Sequence, residues 1–168
     1  MGRPSFVHCP LCGAKLITNQ IEDRVRMVCP DCNWVHYENP FPCAAAFVRS
    51  EKNEILLVKR GIEPGKGKWA LPSGFMEIDE TPEKACLREL EEETGMKGNI
   101  LRLIGIYSQE SLTYSRVLIV GYEVEATGIP VAGSDSQEAR FFPEDKLPEI
   151  VFSSHRQLIQ DALNQKAR

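Results

Sequence analysis

The cysteine spacing constrains this chain more than any other feature. Cys9-Pro-Leu-Cys12 and Cys29-Pro-Asp-Cys32 form two CxxC pairs with sixteen residues between them. Two pairs at that separation match a four-thiolate zinc site. Each CxxC turn presents two sulfurs to one metal, and two such knuckles complete a tetrahedron. Gly13 and Asn33, which are small or turn-forming, follow the pairs and let backbone amides point at the sulfurs. Disulfides or redox-active pairs are the alternatives. Neither pair stands in a βαβ pattern, and no apolar leader precedes Cys9. Four thiolates leave no open position on the metal, so the Zn2+ is expected to be structural. A ribbon of about 30 residues buries too little apolar surface to fold unaided, and metal binding supplies its folding free energy. His8 and His36 flank the ribbon, but the ligand count is already complete. Cys43 and Cys86 stand alone in apolar patterns and read as buried small hydrophobes.

The remainder of the 168 residues suffices for one further compact domain. The apolar runs, such as 43–48 and 117–120, fall far short of the roughly 18–20 residues that span a bilayer. Charge is more informative. Residues 80–93 carry Glu80, Glu83, Glu89, Glu91, Glu92 and Glu93 against Lys84 and Arg88, so the formal net charge of −4 sits entirely there. One acidic focus on an otherwise neutral chain is a candidate cation site and argues against nucleic acid as a partner.

Three regions are expected: a zinc ribbon at 1–37, a stiff linker at 38–42 with two prolines, and a second domain at 43–168. In the ribbon, strands are predicted at 14–19 and 24–28. Beyond it, 43–49 and 55–60 read as a hairpin around the polar turn 50–54. A glycine- and lysine-rich loop at 61–68 follows, then short strands at 69–71 and 140–142 and longer ones at 100–109 and 114–125. The strongest helix signal has Thr81 as N-cap, Pro82 at the first position and Gly95 as the stop. Ser153 or Ser154 can cap a final helix with Leu158, Ile159 and Leu163 on one stripe. This mixture predicts an α+β fold with a mixed β-sheet between helical layers.

On the first helix, Glu89, Glu92 and Glu93 occupy i, i+3 and i+4 and share a face. Such crowding of like charge calls for a counter-cation, and magnesium prefers oxygen ligands. A solvated acidic face is the bland alternative, but the surrounding residues favour the cation. Residues 74–96 read GFMEIDETPEKACLRELEEETGM, with Gly74, Glu80, Arg88, Glu89, Leu90, Glu92, Glu93, Gly95 and Met96 at the fixed positions of G-x5-E-x7-R-E-U-x-E-E-x-G-U. This stretch resembles the Nudix box, the signature of hydrolases that act on nucleoside diphosphates linked to another moiety. The resemblance covers roughly 40–166 and implies an α/β/α sandwich of the Nudix type. It implies Mg2+ or Mn2+ held by Glu89, Glu92 and Glu93, with the Gly74 carbonyl as a further donor. Arg88 and Glu80 would orient the box carboxylates. Bound metal neutralises the pyrophosphate and activates water. A further acid is expected from outside the box. Glu138 is favoured, with Glu123 and Glu125 competing.

A four-cysteine ribbon ahead of such a domain is similar to two kinds of Nudix protein. NADH pyrophosphatases, which also decap NAD-linked RNA, carry Ser-Gln-Pro-Trp after the box. Here Ser108-Gln109 is followed by Glu110-Ser111, so the Pro-Trp is missing. The plant chloroplast FAD pyrophosphatase type is similar from end to end, through Tyr37, Asn39 and Pro40, residues 59–69 and residues 152–154. That resemblance implies hydrolysis of FAD to FMN and AMP, with ADP-ribose as another substrate. In the loop, Arg60 and Lys68 are candidates for the phosphates. Trp69 and Phe75 are candidates for base stacking, with core packing the competing role for Trp69. No transit peptide precedes the ribbon, so a cytoplasmic protein is expected, and relatives of this kind often pair as homodimers. The alternative of another class is a non-catalytic ADP-ribose sensor. Such regulators lose box acids, and none is missing here.

Overall fold

The computed structural model describes residues 6–133 and 135–165. The chain divides into two compact units: one runs to Pro40 and includes Ser111–Ser115, and the other comprises Phe41–Glu110 and the chain from Arg116 onward. In the first unit, β1 (Ile17–Ile21) pairs antiparallel with β2 (Arg24–Val28), which pairs with β3 (Val35–His36). The first ribbon strand therefore begins later than the predicted residue 14. Residues 14–16 close the knuckle instead: Cys9 N donates to Ala14 O at 2.8 Å and Leu16 N to Val7 O at 2.9 Å. The core of this unit is small, with Cys9, Leu16 and Cys29 buried beside Ala14, Met27 and Trp34.

The second unit holds β4 (Phe41–Val48), β5 (Glu54–Arg60), β6 (Trp69–Ala70), β7 (Ser73–Phe75), α1 (Pro82–Thr94), β8 (Lys97–Ser111), β9 (Ser115–Thr127), β10 (Ser136–Pro143) and α2 (Ser153–Gln165). The hairpin expected at 43–60 survives only at its tip. Ser50 N donates to Glu54 O at 2.8 Å and Arg49 bridges Ile55, but the two strands then enter different sheets. β4 joins a mixed sheet of order β7-β4-β9-β8, parallel to β9 and antiparallel to β7, while β5 lies between β10 and β6. The predicted linker is also shorter, because Phe41 and Pro42 already pair with Val117 and Leu118.

The mixed sheet separates the two helices. Side chains alternate along a strand, so Ala44, Ala46 and Val48 face α1, where they pack with Ala85, Cys86 and Leu90. Gly121, opposite Ala45, turns to the other face, where a Cβ would stand 2.2 Å from Leu158 Cδ1 of α2. Small residues on both faces thus let both helices approach closely, giving the expected α/β/α sandwich. As the sequence predicts, the Thr81 side chain caps α1 by accepting from Lys84 N, and Gly95 ends it at φ +67°. Burial pushes the Cys43 and Cys86 thiols up to about 12, as suits packing groups rather than nucleophiles. Among the described residues, no helix is long and apolar enough to cross a membrane.

α2 starts differently from the prediction. Neither serine caps it; Gln109 of β8 supplies the acceptor, taking the Ser154 N–H at 3.1 Å. Its next residue, His155, is 3% exposed and accepts the Leu71 N–H at Nδ1, so the neutral ring carries its proton on Nε2. Burial, with nearby Arg60 adding to it, pushes this imidazole down to about 3. Between that value and the ordinary His pKa of about 6.5, the unfolded chain binds a proton that the folded chain does not. The His155 contribution to stability should therefore rise with pH across this window by about 1.4 kcal/mol per unit, opposed above pH 4.5 by the buried Glu93 carboxyl, which burial pushes up to about 8. Urea midpoints at pH 4–7 check this, and His155→Gln, which keeps an acceptor for Leu71, should lower the slope by one proton.

Candidate active site

β7 and α1 build the box. Gly74 lies opposite Ala44 in the sheet, and a Cβ on it would stand 2.1 Å from Glu89 Oε1. Only glycine leaves room for the carboxylate there. The Arg88 guanidinium sits at the centre of the acids. Its Nε and Nη2 engage both oxygens of Glu80 at 2.6 and 2.9 Å, Nη1 reaches Glu89 at 2.6 Å and Glu92 at 3.1 Å, and Nη2 also donates to Phe75 O at 2.9 Å. Arg88 thus offsets the repulsion that the i, i+3, i+4 spacing creates. Its hydrogen bonds pull the Glu80 carboxyl down to about 2 and push its own pKa further up.

Glu93 differs from the others. It is 7% exposed and accepts the Ser73 N–H at 2.9 Å. Burial, reinforced by Glu89, pushes it up to about 8, and burial also raises Glu89. Arg88 compensates Glu89 directly, whereas Glu93 has the Ser73 N–H as its hydrogen-bond donor. The three glutamates share one helix face, where Glu89 and Glu92 share Arg88 Nη1 and Glu93 is held by the Ser73 N–H. Among the described residues, the only Cys, His, Asp or Glu ligand atoms that gather in a group of three or more within 4.8 Å are the four ribbon thiols.

Those thiols come from two matched turns. Gly13 and Asn33 adopt φ of +78° and +61°, and donate to Cys9 O and Cys29 O at 2.9 and 3.0 Å. Sγ–Sγ distances are 3.6 Å for Cys9–Cys32 and 3.3 Å for Cys12–Cys29. A zinc tetrahedron with 2.3 Å bonds has edges of about 3.8 Å, so the four sulfurs fit the metal. His8 and His36 are not part of the cluster; His36 stacks on Trp34 at 5.7 Å.

The residues expected outside the box are placed unevenly. Arg60 comes close: Glu93, Asp135 and Glu63 support its charge, and its Nε donates to Pro64 O at 2.7 Å. Lys68 is exposed and pairs with Glu149 at 3.6 Å. Trp69 packs edge-on against Phe142 at 4.7 Å, with Arg140 over its ring at 5.1 Å, which favours the packing role over stacking. Phe75 meets Phe41 edge-on at 6.1 Å.

Glu138 does not stand where the sequence analysis places it. A β-bulge at Gln137 sets Glu138 opposite Lys59, whereas Ser136 is opposite Arg60. Adjacent residues of β5 face opposite ways, so Glu138 lies on the face away from Arg60. Its carboxylate is bonded to Lys59 at 3.0 Å, with Arg140 at 4.0 Å. Glu123 is likewise taken, by Arg102 at 2.6 Å. Another acid near the box is Asp135, in the segment whose Gly133 N–H bonds to Glu93. Its carbonyl accepts the Gly61 N–H, and two residues earlier Gly133 N donates to Glu93 O at 3.2 Å. Asp135 escaped the sequence analysis because its position depends on this return of the chain to α1. Its one local signal is an acid just before a strand.

Comparison with known proteins agrees with this geometry. The NUDIX domain model matches residues 39–162, and the Nudix N-terminal model matches residues 8–38. An ADP-ribose pyrophosphatase from Methanocaldococcus jannaschii is 39% identical over 116 residues, covering 68% of each chain. A NAD-capped RNA hydrolase NudC from Vibrio atlanticus is 29% identical over 164 residues, 95% of this chain but 58% of that relative's length. A crystal structure of a NUDIX hydrolase from Nitrosomonas europaea superposes with a TM-score of 0.84 at 30% identity, covering 96% of this chain and 93% of the other.

Proposed function

Because the chain belongs to the Nudix hydrolase family, we propose that it hydrolyses the pyrophosphate of small nucleoside-diphosphate compounds, ADP-ribose and FAD foremost. The carrying observation is the all-oxygen set of buried Glu93 and part-buried Glu89, the latter packed against Gly74, which suits Mg2+ or Mn2+. The relative from M. jannaschii supports ADP-ribose. FAD rests on the resemblance of the ribbon, linker and loop to the plant FAD pyrophosphatase type.

Glu89, Glu92 and Glu93 would hold the ion, with Asp135 rather than Glu138 as the acid from outside the box. A bound divalent ion neutralises the pyrophosphate and lowers the pKa of water. Arg88 and Glu80 keep Glu89 and Glu92 oriented, and the Ser73 N–H fixes Glu93. Arg60 stands where a phosphate oxygen can replace its contact with Pro64 O. Water adds across the P–O–P bridge, giving AMP with ribose 5-phosphate from ADP-ribose, or AMP with FMN from FAD. The ribbon would carry structural Zn2+ on Cys9, Cys12, Cys29 and Cys32.

A second reading, NAD-capped RNA, draws on the V. atlanticus relative, which aligns along nearly the whole chain. One parallel assay of ADP-ribose, FAD, NADH and NAD-capped RNA with magnesium and with manganese decides among them. AMP release fastest from ADP-ribose or FAD supports the proposal, and preference for capped RNA replaces it. Gly74→Ala should displace Glu89 and lower kcat about 10²-fold, with Mn2+ affinity falling in parallel by electron paramagnetic resonance.

A further inference from the structure

We infer that Gln109 is a positioning residue: its side-chain carbonyl fixes the first turn of α2, and through that turn the segment 150–152 against which Arg60 and its loop rest. The inference builds on the proposal that Arg60 faces the substrate. Gln109 Oε1 accepts three hydrogen bonds, from Ser154 N at 3.1 Å, Ser154 Oγ at 2.9 Å and Ser153 Oγ at 3.2 Å. A backbone N–H can only donate, so the amide orientation is determined. Helix N-termini need such an acceptor, ordinarily from their own cap residue. Here it comes from a strand 45 residues earlier in the chain.

The inner side of this joint is buried, with Ser154 and His155 at 4% and 3% exposure, and its outer side is open. An open groove of about 420 Å³ lies beside it, with Arg116 and Arg156 among its walls. Arg116 is held by Ser108 at 3.1 Å and Glu110 at 3.2 Å. On this open side the hydrogen bonds to Gln109 hold the helix start.

Several contacts link that start to Arg60. Arg156 of α2 donates to Ile150 O and to Val151 O. Val151 N donates to Trp69 O at 2.9 Å, and the Val151 side chain lies so close to the loop that a Cβ on Gly65 would be 2.7 Å from its Cγ2. The Phe152 ring lies 5.1 Å from the Arg60 guanidinium. Segment 150–152 is thus the wall of loop 61–68. The box is reached from α2 by a separate, buried route, His155 to Leu71 and on to Ser73 and Glu93. Losing the Gln109 acceptor should loosen the Arg60 wall and spare the box. Retention of Ser-Gln without the following Pro-Trp then has a physical reason, since the glutamine serves the fold of the site.

The test uses the zinc-loaded full chain with magnesium and ADP-ribose. Gln109→Leu is expected to raise KM about tenfold with kcat within about twofold. It should also speed amide exchange in 61–68 and 150–154 while α1 stays protected. Gln109→Glu keeps acceptor oxygens at the helix N-terminus and is expected to restore both readouts. Failure of Gln109→Glu to restore them, a fall in kcat at unchanged KM, or unchanged loop exchange in Gln109→Leu overturns the inference. Arg60→Met separates the two ideas. An unchanged KM there overturns the substrate-facing role of Arg60, whereas the exchange pattern judges Gln109 alone.

Discussion

Replacing Glu93 by Gln is expected to cut kcat by about 10²- to 10³-fold at saturating magnesium while the folded state survives. The two halves of that expectation have separate causes. Survival follows from what Glu93 does for the fold: it accepts the Ser73 N–H, and a glutamine oxygen can accept the same bond. Its charge adds nothing to the metal-free fold, since burial already pushes the carboxyl up to about 8. Loss of turnover follows from the removal of an anionic oxygen from the helix face proposed to hold the divalent ion. Glu92→Gln should act in the same direction, since Glu92 is the exposed member that Arg88 holds at 3.1 Å. Steady-state kinetics beside a thermal melt separate the halves. Near-normal activity in Glu93→Gln would show that the metal lies elsewhere.

Removal of zinc should have the largest effect on stability. Among its described residues the first unit buries only Cys9, Leu16, Val28 and Cys29, two of them members of the cysteine cluster. So small a core cannot offset the conformational entropy of its chain. Zinc bound to four thiolates contributes roughly 10–16 kcal/mol of apparent free energy in comparable small modules. Chelation, or Cys29→Ser, is therefore expected to unfold residues 6–40 outright rather than weaken them. Loss of dispersed amide resonances from β1–β3 in a heteronuclear spectrum, restored by added Zn2+, checks this. Intact ribbon resonances with only catalysis lost would make the metal a catalytic one.

What could be read from the sequence was whatever local chemistry decides. The box helix belongs to that class, because its Thr81 cap, Pro82, Gly95 stop and the Arg88–Glu80 pairing lie within a single 23-residue stretch. The knuckles belong to it too, since Gly13 and Asn33 supply the left-handed turns beside their own cysteines. Features fixed by distant partners were not legible. The polar turn at 50–54 signals a hairpin, yet the pairing of β4 with β9 and of β5 with β10 draws its strands into different sheets. The cap of α2 sits on β8, which no local rule for helix starts can find. Glu138 turns away from Arg60 over one extra residue: the bulge at Gln137 is a single-residue slip, and such a slip reverses every side chain beyond it.

The most direct test of the account is AMP formation from ADP-ribose by the zinc-loaded chain, followed by chromatography with and without magnesium. The account predicts stoichiometric AMP and ribose 5-phosphate that appear only with the divalent ion and nearly vanish in Glu93→Gln. ADP-ribose bound tightly at saturating magnesium and recovered intact would contradict it, and would make the chain a sensor built on a hydrolase fold.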